Sequence, residues 1–519
     1  MTRDASAIGA GLTPARDPRP IPAGQRIHVV GAAGAGASAA ALLAAGAGAT
    51  VTGCDPGGSS PYSAALDAAG IVTAWRHDPA HVTARPAPER LAVTKALTAI
   101  DPDHPELVAA RAAGIPLEPW QQVIADAALG RTLVAVAGTH GKSTTAGWLV
   151  HVLVTAGLDP TAFVGALLPA TITGSVPATA RLGTGSAFVV EADEYAGNFD
   201  AYRPDVAVVT SAEWDHPDVF ADEAAVVDAF AGWLTAMPGD GALVANLGDP
   251  GVIAVLRVLG DRGPRTVIGV HLAGSVADAA AAAASDLRVH GRSIELVTAR
   301  LLASQPDATI LEVDGVDPAG PVEIRLPTAG RHNAMNALGV LGAARRLGVP
   351  AAAIVAGLEG FHGVGRRLER KGAAAGVVVY DDYGHHPTAI RSTIEAIRQR
   401  EPGRRVWAVY EPLTYHRTAA LLPAFAAALA TADAVAVADI WAGRDPDTSV
   451  ASAAGLADLV GTVRPGIPVA APGSVEATVD WLANAVAPGD VVLVMGGGHS
   501  YRIASGLLDR LDGTEAPGG

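Results

Sequence analysis

The stretch 132-TLVAVAGTHGKSTTAGW-148 carries an apolar run, a glycine-rich loop and the opening of a helix in direct succession. Residues 132–137 are uncharged and apolar almost throughout, the pattern of a strand buried on both faces of a parallel sheet. Gly138 and Gly141 let backbone N–H groups approach phosphate oxygens, and a helix starting near Ser143 adds its N-terminal potential. Lys142 is placed to neutralise β- and γ-phosphate charge, and the Ser143 hydroxyl to ligate Mg²⁺. The common nucleotide-binding loop has a glycine five positions before its second; Val136 stands there, so this loop is a variant. The bland alternative is a tight strand–helix turn with a chance lysine.

Working outward, two acidic clusters follow apolar runs in the same region. In 189-VVEADEYAGNFDAYRPDVAVVTSAEWDHPDVF-220, Glu191, Asp193 and Glu194 close one strand, and Glu213, Asp215 and His216 follow the next. Carboxylates at strand ends can ligate Mg²⁺ or its waters, although solvated turn acids look the same in sequence. The segment 330-GRHNAMNALGVLGAA-344 puts His332, Asn333 and Asn336 in a first helical turn, with the two asparagines three apart on one face. The segment 361-FHGVGRRLE-369 places two arginines in an expected interdomain hinge, where they suit a developing phosphoryl charge or a plain charged surface. In 377-VVVYDDYGHHPTAI-390 a strand ends in Asp381 and Asp382, and His385 and His386 open a helix. A zinc site there matches no familiar ligand spacing. Arg417 follows the next strand and could hold a carboxylate. His499 and the glycines before it either reach the same site or only turn the chain.

The first glycine-rich loop lies in 28-HVVGAAGAGASAAA-41. Gly31, Gly34 and Gly36 suit a diphosphate cradle. Ala33 occupies the middle glycine position of a dinucleotide fingerprint, which disfavours NAD.

At 519 residues the chain should form about three domains. Strands alternating with helices give an α/β class with parallel sheets. We expect a flexible extension at 1–24, a Rossmann-like domain at 25–129, a central P-loop-type ATPase domain at 130–366 and a doubly wound domain at 367–519. A low-complexity alanine run occupies 277–284. The net charge of −15 argues against a general nucleic-acid surface. Cys54 is the single cysteine, so no intramolecular disulfide is available. The uncharged stretch 29–54 is long enough to span a bilayer but reads as strand, loop and helix. No export segment is evident, and a cytoplasmic protein with no membrane partner is expected.

AVAGTHGKSTT, EADE followed by DH, GRHNAMNA, GVGRR and DDYGHHPT, in this order from about residue 26 onward, resemble the Mur ligase family. The resemblance implies an ATP- and Mg²⁺-dependent amide ligase that activates a carboxylate as an acyl phosphate. Its alanine-adding members are most similar, which implies UDP-N-acetylmuramate and L-alanine as substrates, and a monomer or homodimer. Carried over, Gly138, Thr139, His140, Gly141, Lys142, Ser143 and Thr144 would hold ATP phosphates. Ser143, Glu191 and His216 would hold magnesium, and His332, Asn333 and Asn336 would contact ATP. Arg367 would face the phosphates across the hinge, and Asp382 would join the nucleotide and amino-acid sites. The implied catalytic set is Lys142, Glu191, His216, Arg367 and Asp382. Gly31, Gly34, Gly36, Ser38 and Asp55 would bind the UDP-sugar, and His385, Tyr415 and Arg417 the amino acid.

Three departures bear on selectivity. Thr414 stands where these members usually carry an arginine, Ala33 and Ala37 replace a usual Gly and Met, and Lys95 replaces a common Ser. A tripeptide-recycling ligase, a specialised-metabolism relative with another amine, and a nucleotide-binding regulator without ligation therefore stay open as alternatives.

Overall fold

A computed structural model of the chain describes residues 8–274, 288–290, 292–443, 445 and 447–513. The alanine run at 277–284 lies outside the described residues. Three α/β domains are each organised around one large sheet, and the apolar strand runs singled out in the sequence form the sheet centres.

The first sheet contains β1 (Arg26–Val30), β2 (Thr50–Cys54), β3 (Val72–Ala74), β4 (Arg90–Val93) and β5 (Leu117–Pro119), ordered β3-β2-β1-β4-β5 and parallel throughout. Strand order reverses at β1, so the glycine-rich loop after β1 sits at the switch point where such sheets bind ligands. Strands β3 to β5 run three or four residues, too short to show a periodicity in sequence.

Residues 8–24 correct the expectation of a flexible lead-in. Gly9 N donates to Thr98 Oγ1 at 2.7 Å and Thr13 N to Leu117 O at 2.8 Å. Arg16 pairs with buried Glu118 and Asp126 at 2.9 and 2.8 Å, and the buried Arg90 pairs with the same two acids. Glu118 and Asp126 lie inside the domain and need a second cation, which the extension supplies.

The central sheet runs β17-β16-β15-β12-β11-β10-β6-β9-β7-β8. Its members are β6 (Thr132–Ala137), β7 (Thr161–Leu168), β8 (Ala178–Arg181), β9 (Ala187–Ala192), β10 (Val206–Val209), β11 (Ala242–Asn246), β12 (Thr266–Ala273), β15 (Glu295–Ser304), β16 (Thr309–Asp317) and β17 (Gly320–Leu326). A separate ribbon pairs β13 (Arg288–Val289) with β14 (Arg292–Ser293). The centre is parallel, while β8, β16 and β17 pair antiparallel toward the edges. Helices Lys142–Thr155 and Arg331–Arg346 pack together on one face of this sheet, over a core that includes Val134, Val136, Trp148 and Val208.

The third sheet runs β18-β19-β23-β20-β21-β22, with β18 (Glu369–Ala374) the antiparallel edge. The parallel members are β19 (Val377–Asp382), β20 (Val406–Glu411), β21 (Ala434–Ala438), β22 (Val469–Gly473) and β23 (Val491–Gly496). Two short helices follow β20, Tyr415–Ala420 and Leu422–Leu429. Pro423 starts the second, because its ring cannot follow a continuous helical turn.

Candidate active site

The glycine-rich loop between β6 and helix Lys142–Thr155 is built from backbone shapes that only glycine adopts freely. Gly138 has φ +135°, and a Cβ there would meet Thr210 Oγ1 at 2.2 Å. Gly141 caps the helix at φ +79°, and a Cβ would meet Asn336 Oδ1 at 2.4 Å. The asparagine helix is therefore pressed against the loop. Asn336 Nδ2 donates to Asn333 Oδ1 at 3.3 Å, and Asn333 Nδ2 to Ala329 O at 2.8 Å, so the pair is one bonded unit. His332, beside them, also faces the cleft.

Lys142 Nζ lies 2.9 Å from Glu194 Oε2 and 3.6 Å from Asp193 Oδ1. Burial opposes its charge, but the two carboxylates outweigh that and hold its pKa above the ordinary lysine value. Ser143 Oγ donates to Glu191 Oε1 at 2.9 Å, and Glu191 Oε2 accepts from Gly165 N at 2.6 Å. Asp193, Glu194 and His216 offer ligand atoms within 4.8 Å of one another. The Ser143–Glu191 pair and the Asp193, Glu194 and His216 group offer mostly oxygen donors, which suit a hard divalent cation such as Mg²⁺.

The hinge arginines divide their work. Arg366 turns into the third domain and bonds Asp381 at 3.1 Å, Gly496 O and Ser500 Oγ. Arg367 crosses to the loop, where its Nη2 donates to Ser143 Oγ at 2.8 Å. Arg366 and Leu368 both hold left-handed backbone, at φ 56° and 50°. Such residues cost about 1–3 kcal/mol each and persist where their surroundings over-determine them. Here Glu369 accepts from Arg366 N and Asp382 Oδ2 from Leu368 N, at 2.8 and 2.7 Å. Asp382 thus fixes the hinge while it lines the cleft.

Arg417 does not stand free for a substrate carboxylate. Its Nε lies 2.9 Å from Asp215 Oδ1 and its Nη2 donates to His216 Nδ1 at 2.8 Å, with both side chains of the ion pair buried. Burial pushes His216 down to about 4, so its ring is neutral at pH 7. His385, half-buried like His216, is held well below its usual value by desolvation. A second cross-domain knot joins the loop to the histidine helix. Glu213 Oε2 lies 3.1 Å from His140 Nε2 and 3.6 Å from His386 Nδ1, and accepts from Thr388 Oγ1 at 2.8 Å. Against burial, the His140 bond holds Glu213 at about 2. Thr388, 175 positions from Glu213, was not legible as a site residue, because one sequence carries no pairing information across that separation.

One cavity of about 1010 Å³ collects these groups from all three domains. Gly34 and Gly36 line it beside residues 139–144, Glu191, His216, His332, Asn333, Asn336, Arg367, Asp382, His385 and Arg417. Gly138, Gly31, Asp55, Ser38 and Tyr415 do not. The Gly31 N–H is spent on Cys54 O, and the Asp55 carboxylate on Ala33 N and Gly57 N. Ser38 is buried against Thr179 Oγ1 of the central domain, so it joins domains instead of facing a ligand. The neighbours of Tyr415, Thr414 and His416, line the cavity in its place. Sequence reading also missed Trp120, which lines the cavity and forbids any Cβ on Gly36 at 2.3 Å. The Lys95 ammonium, in place of a common serine, donates to Ala196 O and Gly197 O at 2.8 and 2.7 Å and so braces the turn after the acidic strand.

Residues 26–132 match the Mur ligase family catalytic domain, 136–344 the Mur ligase middle domain, and 366–498 the Mur ligase glutamate ligase domain. The chain belongs to the Mur ligase family. Among relatives, it is 39% identical over 445 residues to the UDP-N-acetylmuramate–L-alanine ligase of Frankia casuarinae, covering 82% of this chain and 84% of that one. The ligase of the same name from Mycolicibacterium smegmatis is 37% identical, with 94% and 95% covered. The fold is similar to that of a solved UDP-N-acetylmuramate–alanine ligase from Thermotoga maritima, at TM-score 0.72 and 22% identity, over 94% of this chain and all of that one. A murein peptide ligase from Psychrobacter arcticus superposes with TM-score 0.68 at 24% identity, over 94% and 99%. Among the described residues of this Mur ligase, no helix is long and apolar enough to cross a membrane.

Proposed function

We propose that the chain joins L-alanine to the lactyl carboxylate of UDP-N-acetylmuramate at the expense of ATP, a step of peptidoglycan precursor synthesis in the cytoplasm. The observation that carries this reading is the single cavity shared by both glycine-rich loops and by the face of the third domain that holds His385 and Arg417. Ligand pockets commonly measure about 300–1,000 Å³, so this one has room for two anionic substrates side by side. The names of the relatives agree with that pair of substrates.

Lys142, the loop amides and Arg367 surround the position of a transferring phosphoryl group. Mg²⁺ bound by Ser143 and the acidic strand end would supply further charge neutralisation. The lactyl carboxylate oxygen attacks the γ-phosphorus, the bond to the β-phosphate oxygen breaks, and ADP leaves. The alanine nitrogen then attacks the acyl carbon of the resulting acyl phosphate, loses a proton, and phosphate departs. That proton passes to solvent or to the departing phosphate, since His216 and His385 are both held in the neutral form. Closure of the third domain over the cavity keeps water from the mixed anhydride.

The test is phosphate release with ATP, Mg²⁺ and UDP-N-acetylmuramate across a panel of amino acids. Release that depends on an amino acid, with L-alanine best, supports the proposal. Release only with a tripeptide would replace L-alanine as the substrate, and no amine-dependent release would reject ligation.

A further inference from the structure

A second cluster of donors lies in the first domain, away from the cavity just described. We propose that His28, Cys54, His81 and Glu106 form a structural site for a divalent transition metal, Zn²⁺ by its donor set, directly behind the first glycine-rich loop. The ligand atoms of these four residues all lie within 4.8 Å of one another.

The spacing approaches that of a coordination tetrahedron, with His28 Nε2 nearest to it and the contacts of Glu106 to Cys54 and His81 a few tenths of an ångström shorter. With metal–sulfur bonds of about 2.3 Å and metal–nitrogen or –oxygen bonds of about 2.0–2.1 Å, its edges measure about 3.3–3.6 Å. His28 Nε2 lies 3.4 Å from Cys54 Sγ and 3.4 Å from Glu106 Oε2. Cys54 Sγ lies 3.1 Å from Glu106 Oε2, and His81 Nδ1 lies 2.9 Å from Glu106 Oε1. His77 Nδ1, 3.3 Å from the sulfur, stands by as a fifth donor.

Charge and surroundings agree with the spacing. Glu106 is fully buried, and its ion-pair partners are His28, His77 and His81, with no lysine or arginine among the described residues. Buried carboxylates require compensation. One thiolate and one carboxylate balance a divalent cation, with the Cys54 proton released to solvent as the metal–sulfur bond replaces S–H. Metal-binding histidines usually bond outward through their other ring nitrogen. His28 Nδ1 does so, 2.8 Å from Thr52 Oγ1, and Glu106 is fixed by Asp78 N at 2.9 Å. The His77 and His81 side chains are 20% and 16% exposed, which leaves an entry path. His104, buried against His77 with ring centroids 4.2 Å apart, has neither ring nitrogen hydrogen-bonded among the described residues. The Cys54 carbonyl also accepts from Gly31 N and Ala32 N, so a metal on this residue would anchor the loop that opens the cavity. Imidazole with thiolate favours Zn²⁺ over the hard cations.

The test is a Co²⁺ titration of the chelator-treated full chain, followed by Zn²⁺ competition. Cys54 is the only cysteine, so a sulfur-to-cobalt charge-transfer band reports this site alone. The expected result is one equivalent of tetrahedral Co²⁺ with that band, displaced stoichiometrically by Zn²⁺. Cys54→Ser should abolish the band, and the milder His81→Ala should weaken Zn²⁺ binding about tenfold or more while circular dichroism stays unchanged. Absence of the band in the natural chain overturns the proposal. So does Zn²⁺ affinity undiminished in both variants, which would move the metal to another cluster, such as His140, Glu213 and His386.

Discussion

Arg417→Gln would remove a buried cation that joins the third domain to the central one. The guanidinium meets Asp215 at 2.9 Å and His216 at 2.8 Å, and Arg417 and Asp215 are 4% and 3% exposed. With charge centres about 4 Å apart and an effective dielectric near 20, the attraction is about 4 kcal/mol. Removing one partner of a buried pair costs about 3–5 kcal/mol, because the other charge is left uncompensated. The natural chain, Arg417→Gln, Asp215→Asn and the double variant form a cycle, read as kcat/KM for phosphate release. We expect a coupling of about 2 kcal/mol, so that the double variant is about 30-fold better than the product of the two single losses predicts. The reasoning fails if the losses add within about 0.5 kcal/mol. A rise in KM for the amino acid alone, unchanged by Asp215→Asn, would return Arg417 to the carboxylate-holding role that its sequence position suggested.

Gly141→Ala places a methyl on left-handed backbone against Asn336 Oδ1, and should lower turnover about 5- to 30-fold; near-natural turnover would contradict the fit of helix to loop. Arg367→Ala removes a donor aimed at the phosphate loop and should cost about 10²–10³-fold in kcat. Arg366→Gln instead strands the buried Asp381 and should show first in thermal denaturation, so equal kcat losses in the two variants would refute the division of labour. His216 takes its proton near 6.5 when unfolded but near 4 when folded, because its half-buried ring is desolvated. The unfolded state therefore binds more protons between those values, and this residue's contribution falls as pH drops from 6.5 toward 4. Relative to the natural chain, His216→Asn should gain about 2 kcal/mol in denaturant titrations on going from pH 7 to 5, and no change in the difference would contradict the buried, neutral ring.

Much of this arrangement was legible because its elements are local. A buried strand, two glycines and a lysine within eleven residues define the glycine-rich loop without help from the rest of the chain. The strand-end acids and the asparagine helix were likewise readable, since each is a short run bounded by clear periodicity. What stayed hidden depends on distant partners. Arg16 looked like part of a loose extension until Glu118 and Asp126 were seen to need it. Ser38 was expected to meet the UDP-sugar, but its helix turns it onto Thr179. Arg417 gave no sign that it faces Asp215 and His216, some 200 positions earlier. The pairs that cross between domains are those a periodicity cannot show, and here they set the geometry of the cavity.

In the proposed reaction this loop transfers phosphate to a carboxylate that an amine then captures, so one carboxylate oxygen must leave with the phosphate. The most direct measurement uses UDP-N-acetylmuramate labelled with ¹⁸O in both lactyl carboxylate oxygens, with ATP, Mg²⁺ and L-alanine, and mass analysis of the released phosphate. We expect one ¹⁸O in each phosphate formed and one left in the product amide. Phosphate free of label, at a rate matching amide formation, would contradict it.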